Sequence, residues 1–193
     1  VVDYKTGTKK FDLREVYYGL DCQMLLYLFT LERNGGHLFS QGTAAGVEYL
    51  WADPAPENII RPETDDAEPL QAQNYPLEGL LLDEPSIYHA MDTRGTGAFV
   101  PLSFSAKTGE PTAQSAKSRL ADREKFNRIR DHLDGMLTDM AKNLYSGEID
   151  AAPLVPNAGK SPCLWCEYRT VCRHADGEGE RTPLKPDDPF GAE

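Results

Sequence analysis

The stretch "VVDYKTGTKKFDLREVYYGLDCQMLLYL" (residues 1–28) predicts a strand, a turn and a helix in immediate succession. Its two leading valines favour an extended chain, and Thr6-Gly7 is typical of a turn. Asp12 is a suitable N-cap for a helix that runs to about Asn34, where "NGG" ends it. Residues 25–31 are apolar nearly all round, so we expect this helix to be buried on most faces.

The rest of the chain alternates short apolar segments, long loops and one further helical pattern. We predict a strand at 45–52, an acidic loop at 53–78, and a short strand or turn before a helix from about Glu84 to Met91. A strand leading into a loop follows at 98–109, then a second long helix from about Ala121 to Tyr145. The expected core face of that helix is Phe126, Ile129, Leu133, Met136, Leu137, Met140 and Leu144. Short strands with two long helices indicate a mixed α/β fold.

Charge limits the classes of function that the chain can serve. It carries 31 acidic and 20 basic residues, a net charge of −11, which argues against a generic nucleic-acid binder. The charge is uneven, however, because residues 107–130 hold seven Lys or Arg (107, 117, 119, 123, 125, 128, 130) and three acids (110, 122, 124). A local basic face that lines a DNA path is therefore compatible with the composition, as is an ordinary solvated helix face.

The first strand carries two charges on one side. Side chains alternate along a strand, so Asp3 and Lys5 point the same way, about 6.6 Å apart along the strand. Such a pair suits metal-assisted phosphodiester hydrolysis, in which the carboxylate holds Mg²⁺ and the lysine positions the attacking water or offsets charge on the phosphate. A surface ion pair on an edge strand is the alternative interpretation.

The helix that follows carries a polar pair. Gln23 and Tyr27 are four residues apart, so they share one helical face at about 6 Å along the axis. Because the helix comes directly after the Asp-x-Lys strand, we expect the pair to lie beside the same site. The alternative is a core amide with satisfied hydrogen bonds and a tyrosine whose hydroxyl reaches the rim.

Three of the four cysteines cluster near the C-terminal end. Cys163, Cys166 and Cys172 lie within "CLWCEYRTVC", a spacing typical of a metal or cluster site. Zinc would take four Cys or His ligands, with His174 as a possible fourth, whereas a [4Fe-4S] cluster requires four thiolates. Cys22 is the remaining cysteine, but its position in a buried helix favours a small apolar thiol.

Taken together and in order, these motifs resemble one family. The Asp-x-Lys strand, the Gln-x3-Tyr helix, the late "YSGEIDAAP" and the cysteine motif are similar to the iron–sulfur branch of the PD-(D/E)xK nucleases, over residues 1–174. Within that branch the chain most resembles the C-terminal nuclease domain of AddB-type subunits of bacterial ATP-dependent helicase–nucleases. The resemblance implies an incomplete restriction-endonuclease-like core, a mixed sheet flanked by two long helices, and a Cys-rich loop at 163–172. Beyond the span of the resemblance, the acidic and Pro-rich composition after His174 predicts a flexible tail at 175–193.

The resemblance also implies roles for particular residues. Asp3 and the main-chain carbonyl of Tyr4 would bind Mg²⁺, and Lys5 would be the catalytic lysine. Gln23 and Tyr27 would orient the site or contact DNA. Cys163, Cys166 and Cys172 would be three of the four ligands of a structural [4Fe-4S] cluster.

Two family ligands are missing, the earlier acidic metal ligand and the first cluster cysteine, and both precede the Asp-x-Lys strand in the family. We therefore expect a C-terminal fragment of a longer protein that is inactive alone, with the cluster absent, incomplete or replaced by zinc. An exposed strand edge at residues 1–5 would favour self-association.

The biological setting follows from the same resemblance. The parent would be a bacterial cytoplasmic exonuclease that processes DNA ends in double-strand-break repair, paired with an AddA-type helicase–nuclease subunit, with ATP used only by that complex. Two alternatives are a metal- or cluster-stapled binding module without catalysis and a related RecB-like nuclease from a phage or CRISPR-associated system. No apolar run reaches the ~18 residues of a membrane span.

Overall fold

The fold is built on a small mixed sheet with helices on both faces. The computed structural model describes residues 10–37, 42–50, 77–155, 161–172, 174, 179–183 and 188–191. Strand β1 (Gly46–Leu50) pairs antiparallel with β2 (Leu77–Leu82), and β2 pairs in parallel with the two-residue β3 (Leu120–Ala121). The helices are α1 (Leu13–Tyr17), α2 (Gln23–Asn34), α3 (Pro85–Met91), α4 (Ala113–Arg119), α5 (Arg123–Ser146) and α6 (Arg169–Cys172).

Alternation along β2 divides the core into two clusters. Leu80 and Leu82 face one side with Val47, where α1, α2 and α5 supply the remaining apolar side chains. Leu81 faces the other side, where it packs with Tyr88 of α3 and with residues of the chain that follows. Because both faces of β2 are covered, its four last residues are all buried, which explains the unbroken "LLL". The α/β class that the sequence predicts is confirmed.

The first predicted helix is wrong in its length and in its burial. The segment forms two helices, because the backbone between them turns through left-handed conformations at Gly19 and Asp21 (φ 81° and 55°). A Cβ at Gly19 would lie 2.8 Å from the sulfur of Met136, so the glycine also permits close approach to α5. Helix α2 buries Leu25 and Phe29 but exposes much of its opposite face, so the expectation of burial on most faces is wrong.

The second long helix begins where the sequence predicts. Asp122 caps α5 by accepting a 2.6 Å hydrogen bond from the Lys125 amide, and Gly147 ends it in a left-handed conformation. Only the first half of the predicted core face is buried, namely Phe126, Ile129 and Leu133. Leu137, Met140 and Leu144 are exposed, because the helix continues beyond the core cluster on which Met136 packs.

The predicted strand at 98–109 is also wrong. Val100 and Leu102 are buried, but the only strand-like contact in this stretch of the described chain is a single bridge between Phe104 and Pro111. The alternating burial reflects packing against the second cluster, and Pro101 between the two buried residues has no amide hydrogen to give a ladder. Helix α4, which the apolar periodicity does not predict, follows this segment with Thr112 as its N-cap.

Two predicted loops acquire ordered ends. Residues 77 and 78, placed by sequence in the acidic loop, are the first two of β2; the remainder of that loop, 53–76, lies outside the described residues. Within the segment for which we expected a flexible tail, residues 188–191 lie against α5. There Phe190 is buried, Arg128 donates to its carbonyl oxygen, and Lys125 pairs with Asp188 at 2.7 Å.

Candidate functional site

The polar pair of the Gln-x3-Tyr motif is assembled as the helical spacing predicts. Gln23 is the first residue of α2, and its side-chain amide donates a 2.9 Å hydrogen bond to the phenol oxygen of Tyr27. Both side chains face solvent, with 41% of Tyr27 exposed, so the alternative of a core amide is wrong. Because the phenol oxygen accepts from Gln23, its own hydrogen can be donated to an anion or a water on the open side.

The Asp-x-Lys residues lie outside the part of the chain that the structure describes. Asp3, Tyr4 and Lys5 precede residue 10, where the description begins. Their metal-binding and catalytic roles, and their closeness to Gln23 and Tyr27, stay predictions. The strand edge at residues 1–5 and the self-association expected from it also stay predictions.

Cys22 is a buried thiol, as the sequence predicts, although it directly precedes α2 and does not lie inside a helix. Its sulfur lies 3.2 Å from the carbonyl oxygen of Leu20 and 3.6 Å from that of Val16, and both contacts fit a donated S–H bond. Burial, together with the nearby Asp21 carboxylate, raises the pKa of this thiol to about 11. A thiol with that pKa stays protonated at neutral pH, and its hydrogen is directed to carbonyl oxygens of its own segment.

The three C-terminal cysteines do not converge on one point. Cys163 lies in a 3₁₀ turn (Pro162–Trp165), Cys166 caps that turn, and Cys172 ends α6. The last two are exposed, and none of the three forms a disulfide. Within the described ranges, no group of three His, Cys, Asp or Glu side chains is placed to hold a metal ion. As placed, these residues do not fit a zinc ion or an iron–sulfur cluster.

His174, next to the cysteines, has an unusual environment. Its Nε2 atom is buried and has no hydrogen-bond partner among the residues that the structure describes. A buried imidazole nitrogen without a partner is costly, so this position favours a polar partner that the described residues do not supply, an acceptor or a donor according to the tautomer. The sequence analysis names His174 as a possible fourth zinc ligand because it lies next to the cysteines, and an unpartnered ring nitrogen is compatible with that role.

Glu48 is a candidate that the sequence does not reveal. It lies on β1 opposite Gly79 of β2, and its Oε1 atom is buried with no hydrogen-bond partner in the described parts of the chain. Burial raises the pKa of this carboxyl from 4.5 to about 7. An acid within an alternating strand ordinarily faces water. The only sequence signal for a buried Glu48 would be apolar segments elsewhere in the chain that could cover both faces of the sheet.

The predicted basic face is largely neutralised. Of the seven cations at 107–130, five lie in ion pairs with acids elsewhere in the fold or along the helix, in the pairs Arg119–Glu78, Arg123–Glu84, Lys125–Asp188, Arg128–Glu124 and Arg130–Glu32. Such pairing is typical of a solvated helix face and gives little support to a continuous DNA path along α5.

Comparison with known proteins decides the family. A sequence profile described as the PD-(D/E)XK nuclease superfamily matches residues 1–173. The chain belongs to the PD-(D/E)XK nuclease superfamily. It is therefore a nuclease domain, and the resemblance drawn from the ordered motifs is confirmed at this level. The superfamily generally uses Mg²⁺.

Individual PD-(D/E)XK relatives narrow the resemblance. The chain is 32% identical over 178 residues to the B-type subunit of the ATP-dependent helicase/deoxyribonuclease of Clostridium kluyveri (strain NBRC 12016). The B-type subunits of the same name from Thermoanaerobacter pseudethanolicus (strain ATCC 33223 / 39E) and Clostridium botulinum (strain Loch Maree / Type A3) are 31% and 29% identical. Each match covers 90% of this chain and 15% of the relative. The chain thus spans about a seventh of the length of these relatives. In the described part of the chain, no helix has the length and apolar character to cross a membrane.

Proposed function

We propose that this domain hydrolyses DNA phosphodiester bonds with Mg²⁺, in a protein that processes DNA ends for double-strand-break repair. The observation that carries the proposal is the ordered set of motifs, from Asp3-x-Lys5 to the cysteines, within residues 1–173 that the nuclease profile matches. A metal ion in such a site supplies Lewis-acid stabilisation of the phosphate and a water of lowered pKa.

Each candidate site residue would have the role that its side-chain or main-chain chemistry suits. The carboxylate of Asp3 and the main-chain carbonyl of Tyr4 are hard oxygen ligands of the kind that Mg²⁺ prefers. The ammonium group of Lys5 would orient the attacking water and offset negative charge on the phosphate. Tyr27, held by the amide of Gln23, would donate its phenol hydrogen toward the phosphate side of the site.

The setting of the reaction is proposed from the relatives. Proteins named as helicase/deoxyribonuclease subunits align over most of this chain, which supports action on DNA beside a helicase. We place the domain in the bacterial cytoplasm, in a heterodimer with an AddA-type subunit, and assign ATP to that complex rather than to this domain. Co-purification of the natural protein with one large partner, in a complex that hydrolyses ATP only when DNA is present, would support this arrangement. A protein that purifies without a partner, or ATP hydrolysis that does not require DNA, would oppose it.

The cysteines are proposed as structural ligands in the natural protein. Cys163, Cys166 and Cys172 would be three ligands of a [4Fe-4S] cluster, and they must move together from their described positions to share it. Iron and sulfide analysis of the natural protein tests this directly. Cys166→Ser should remove the iron, whereas Cys22→Ser should keep it because Cys22 is a protonated, buried thiol. Equal iron content in the two variants would overturn the assignment.

The nuclease activity itself is tested on linear DNA. The natural protein should cleave in Mg²⁺ and stop in EDTA, and Asp3→Ala should abolish cleavage while DNA binding persists. Cleavage that survives Asp3→Ala would exclude the proposed site.

A further inference from the structure

A rigid loop after α3 projects two unlike side chains into solvent. The loop is fixed by Asp92, which is 1% exposed and whose carboxylate accepts hydrogen bonds from the amides of Gly97 at 2.7 Å and Ala98 at 3.1 Å. It also accepts from the Arg94 amide and the Thr96 hydroxyl, each at 3.2 Å. The loop is thus held from within by a single buried carboxylate.

The chain leaving the loop is anchored as well. Val100 and Leu102 are buried in the second core cluster, so the residue before them cannot drift far from its position. Gly97 has a left-handed backbone (φ 76°), and a Cβ there would lie 2.5 Å from the carbonyl oxygen of Leu102. Both ends of the segment are therefore fixed, and what it presents to solvent is preorganised.

The two projecting side chains are Arg94 and Phe99. Phe99 is 57% exposed, although its neighbour Val100 is buried, and the guanidinium carbon of Arg94 lies 6.0 Å from the centre of its ring. Arg94 lies over one face of the ring, at the outer end of the range for a cation–π contact, and the exposure of Phe99 leaves the rest of the ring open to solvent. A cation and an aromatic face are thus offered together at one point.

Arg94 differs from most arginines of the described chain. Six of them pair with a carboxylate, namely Arg14, Arg33, Arg119, Arg123, Arg128 and Arg130. Arg94 contacts the ring instead, and no ion pair within the described residues neutralises it. In a chain with a net charge of −11, an exposed arginine that pairs with no acid of the described residues marks a place where an anion can bind.

We propose that Arg94 and Phe99 form a contact point for single-stranded DNA. Arg94 would bind a backbone phosphate, and Phe99 would stack against the neighbouring unpaired base. Single strands fit better than duplex, because the bases of a duplex are already stacked on each other and cannot cover the ring. The proposal deepens the proposed function, on which it rests, by naming a residue pair that would hold the strand.

The site lies on the side of the sheet away from the Gln23–Tyr27 pair. Its anchors Val100 and Leu102 belong to the cluster around Leu81, whereas α2 packs on the opposite cluster. Contact here would therefore hold the strand at a distance from Tyr27, which we propose to act on the phosphate. Loss of the contact should weaken binding of the strand more than it slows hydrolysis once the strand is bound.

Binding is measured by fluorescence anisotropy with a labelled oligothymidylate, in EDTA so that no cleavage occurs. Arg94→Ala and Phe99→Ala should each weaken binding by on the order of tenfold. Phe99→Tyr keeps the ring and should bind as the unaltered chain does. Arg123→Ala is the matched control, since it removes the same charge from an exposed arginine that is already paired with Glu84. Circular dichroism verifies that each variant is folded.

A spectroscopic readout separates stacking from charge. An oligonucleotide that contains 2-aminopurine should lose fluorescence on binding, because the fluorescent base stacks on Phe99, and Phe99→Leu should abolish that quenching. Arg94→Ala should reduce the dependence of log Kd on log salt by about one ion contact. Unchanged quenching in Phe99→Leu, together with unchanged affinity in Arg94→Ala, overturns the proposal. A polyglutamate peptide that displaces the labelled oligonucleotide as well as unlabelled oligothymidylate does would also overturn the proposal, in favour of an acidic protein partner.

The outcome is independent of catalysis. If Asp3→Ala retains cleavage, the proposed chemistry fails while the binding measurements in EDTA still stand. If Arg94→Ala and Phe99→Ala leave the affinity for the oligonucleotide unchanged while Mg²⁺-dependent cleavage persists, only this contact point is excluded.

Discussion

The amide of Gln23 holds the phenol oxygen of Tyr27 at 2.9 Å on the exposed face of α2. The bond spans one helical turn and leaves the phenol hydrogen to point away from the amide. A polar pair that is fixed in this way, at the surface and at the start of a helix, is available to a substrate rather than to the core.

Removing the phenol hydroxyl should therefore affect activity more than folding. We expect Tyr27→Phe to lower the rate of DNA cleavage by about tenfold, since one charge-assisted hydrogen bond to the phosphate side is lost. The free energy of unfolding should change by less than ~1 kcal/mol, because the side chain is exposed. Thr30→Ala, an exposed change on the same helix, is the control, and equal rates in both variants would refute the role of Tyr27.

Glu48 should make the folded state less stable as pH rises. Its pKa is about 7 in the folded chain and 4.5 in an unfolded one, so the unfolded state loses its proton first. Stability should fall between those two values and then level off above pH 7. Urea unfolding from pH 4 to 8 measures this, and Glu48→Gln should flatten that part of the curve. A cation bound beside Glu48 would lower the folded-state pKa of its carboxyl below the unfolded value, and stability would then rise with pH.

Asp92 should be a major determinant of stability in its region. Burial acts to raise the pKa of its carboxyl, but hydrogen bonds from Gly97, Thr96, Arg94 and Ala98 outweigh burial and hold the pKa below its ordinary value. Asp92→Ala leaves those partly buried donors without an acceptor and should cost about 2–3 kcal/mol in the free energy of unfolding. Asp139→Ala, an exposed acid on α5, should cost under about 0.5 kcal/mol. Similar costs in the two variants would contradict this.

The segment 188–191 should stabilise α5. Phe190→Ala removes a ring that is buried against Tyr17 and His132, and we expect a loss of about 3 kcal/mol. Asp188→Asn should cost less than ~1 kcal/mol, because the Lys125 pair is partly exposed. Hydrogen exchange in the first turns of α5 reports both effects, and unchanged protection in Phe190→Ala would show that the segment only rests on the surface.

Much of this architecture follows from local signals in the sequence. Asp122 and Gly147 bracket α5, and the four-residue spacing of Gln23 and Tyr27 places them on one face, because caps and helical periodicity depend on neighbours along the chain. The nuclease family is also identifiable, since its motifs are short and occur in a fixed order.

The errors arise where distant residues decide the outcome. The first helix breaks at the left-handed Gly19 and Asp21, and Gly19 lies close to Met136 of α5, a contact that no local pattern encodes. Val100 and Leu102 alternate like a strand because they pack on a cluster assembled from β2, α3 and β3. The burial of Glu48 and the exposure of Leu144 depend in the same way on which elements cover them, and so they emerge only from the folded chain.

The central claim, that Asp3-x-Lys5 belongs to a nuclease site, is tested most directly by one rate measurement on the natural protein. Mg²⁺-dependent cleavage of linear DNA is compared for Lys5→Ala and for Lys10→Ala, an exposed lysine five positions further along. We predict that Lys5→Ala lowers the cleavage rate by about 10²–10³-fold with the fold and DNA affinity retained, whereas Lys10→Ala cleaves normally. Equal cleavage by the two variants would contradict the account.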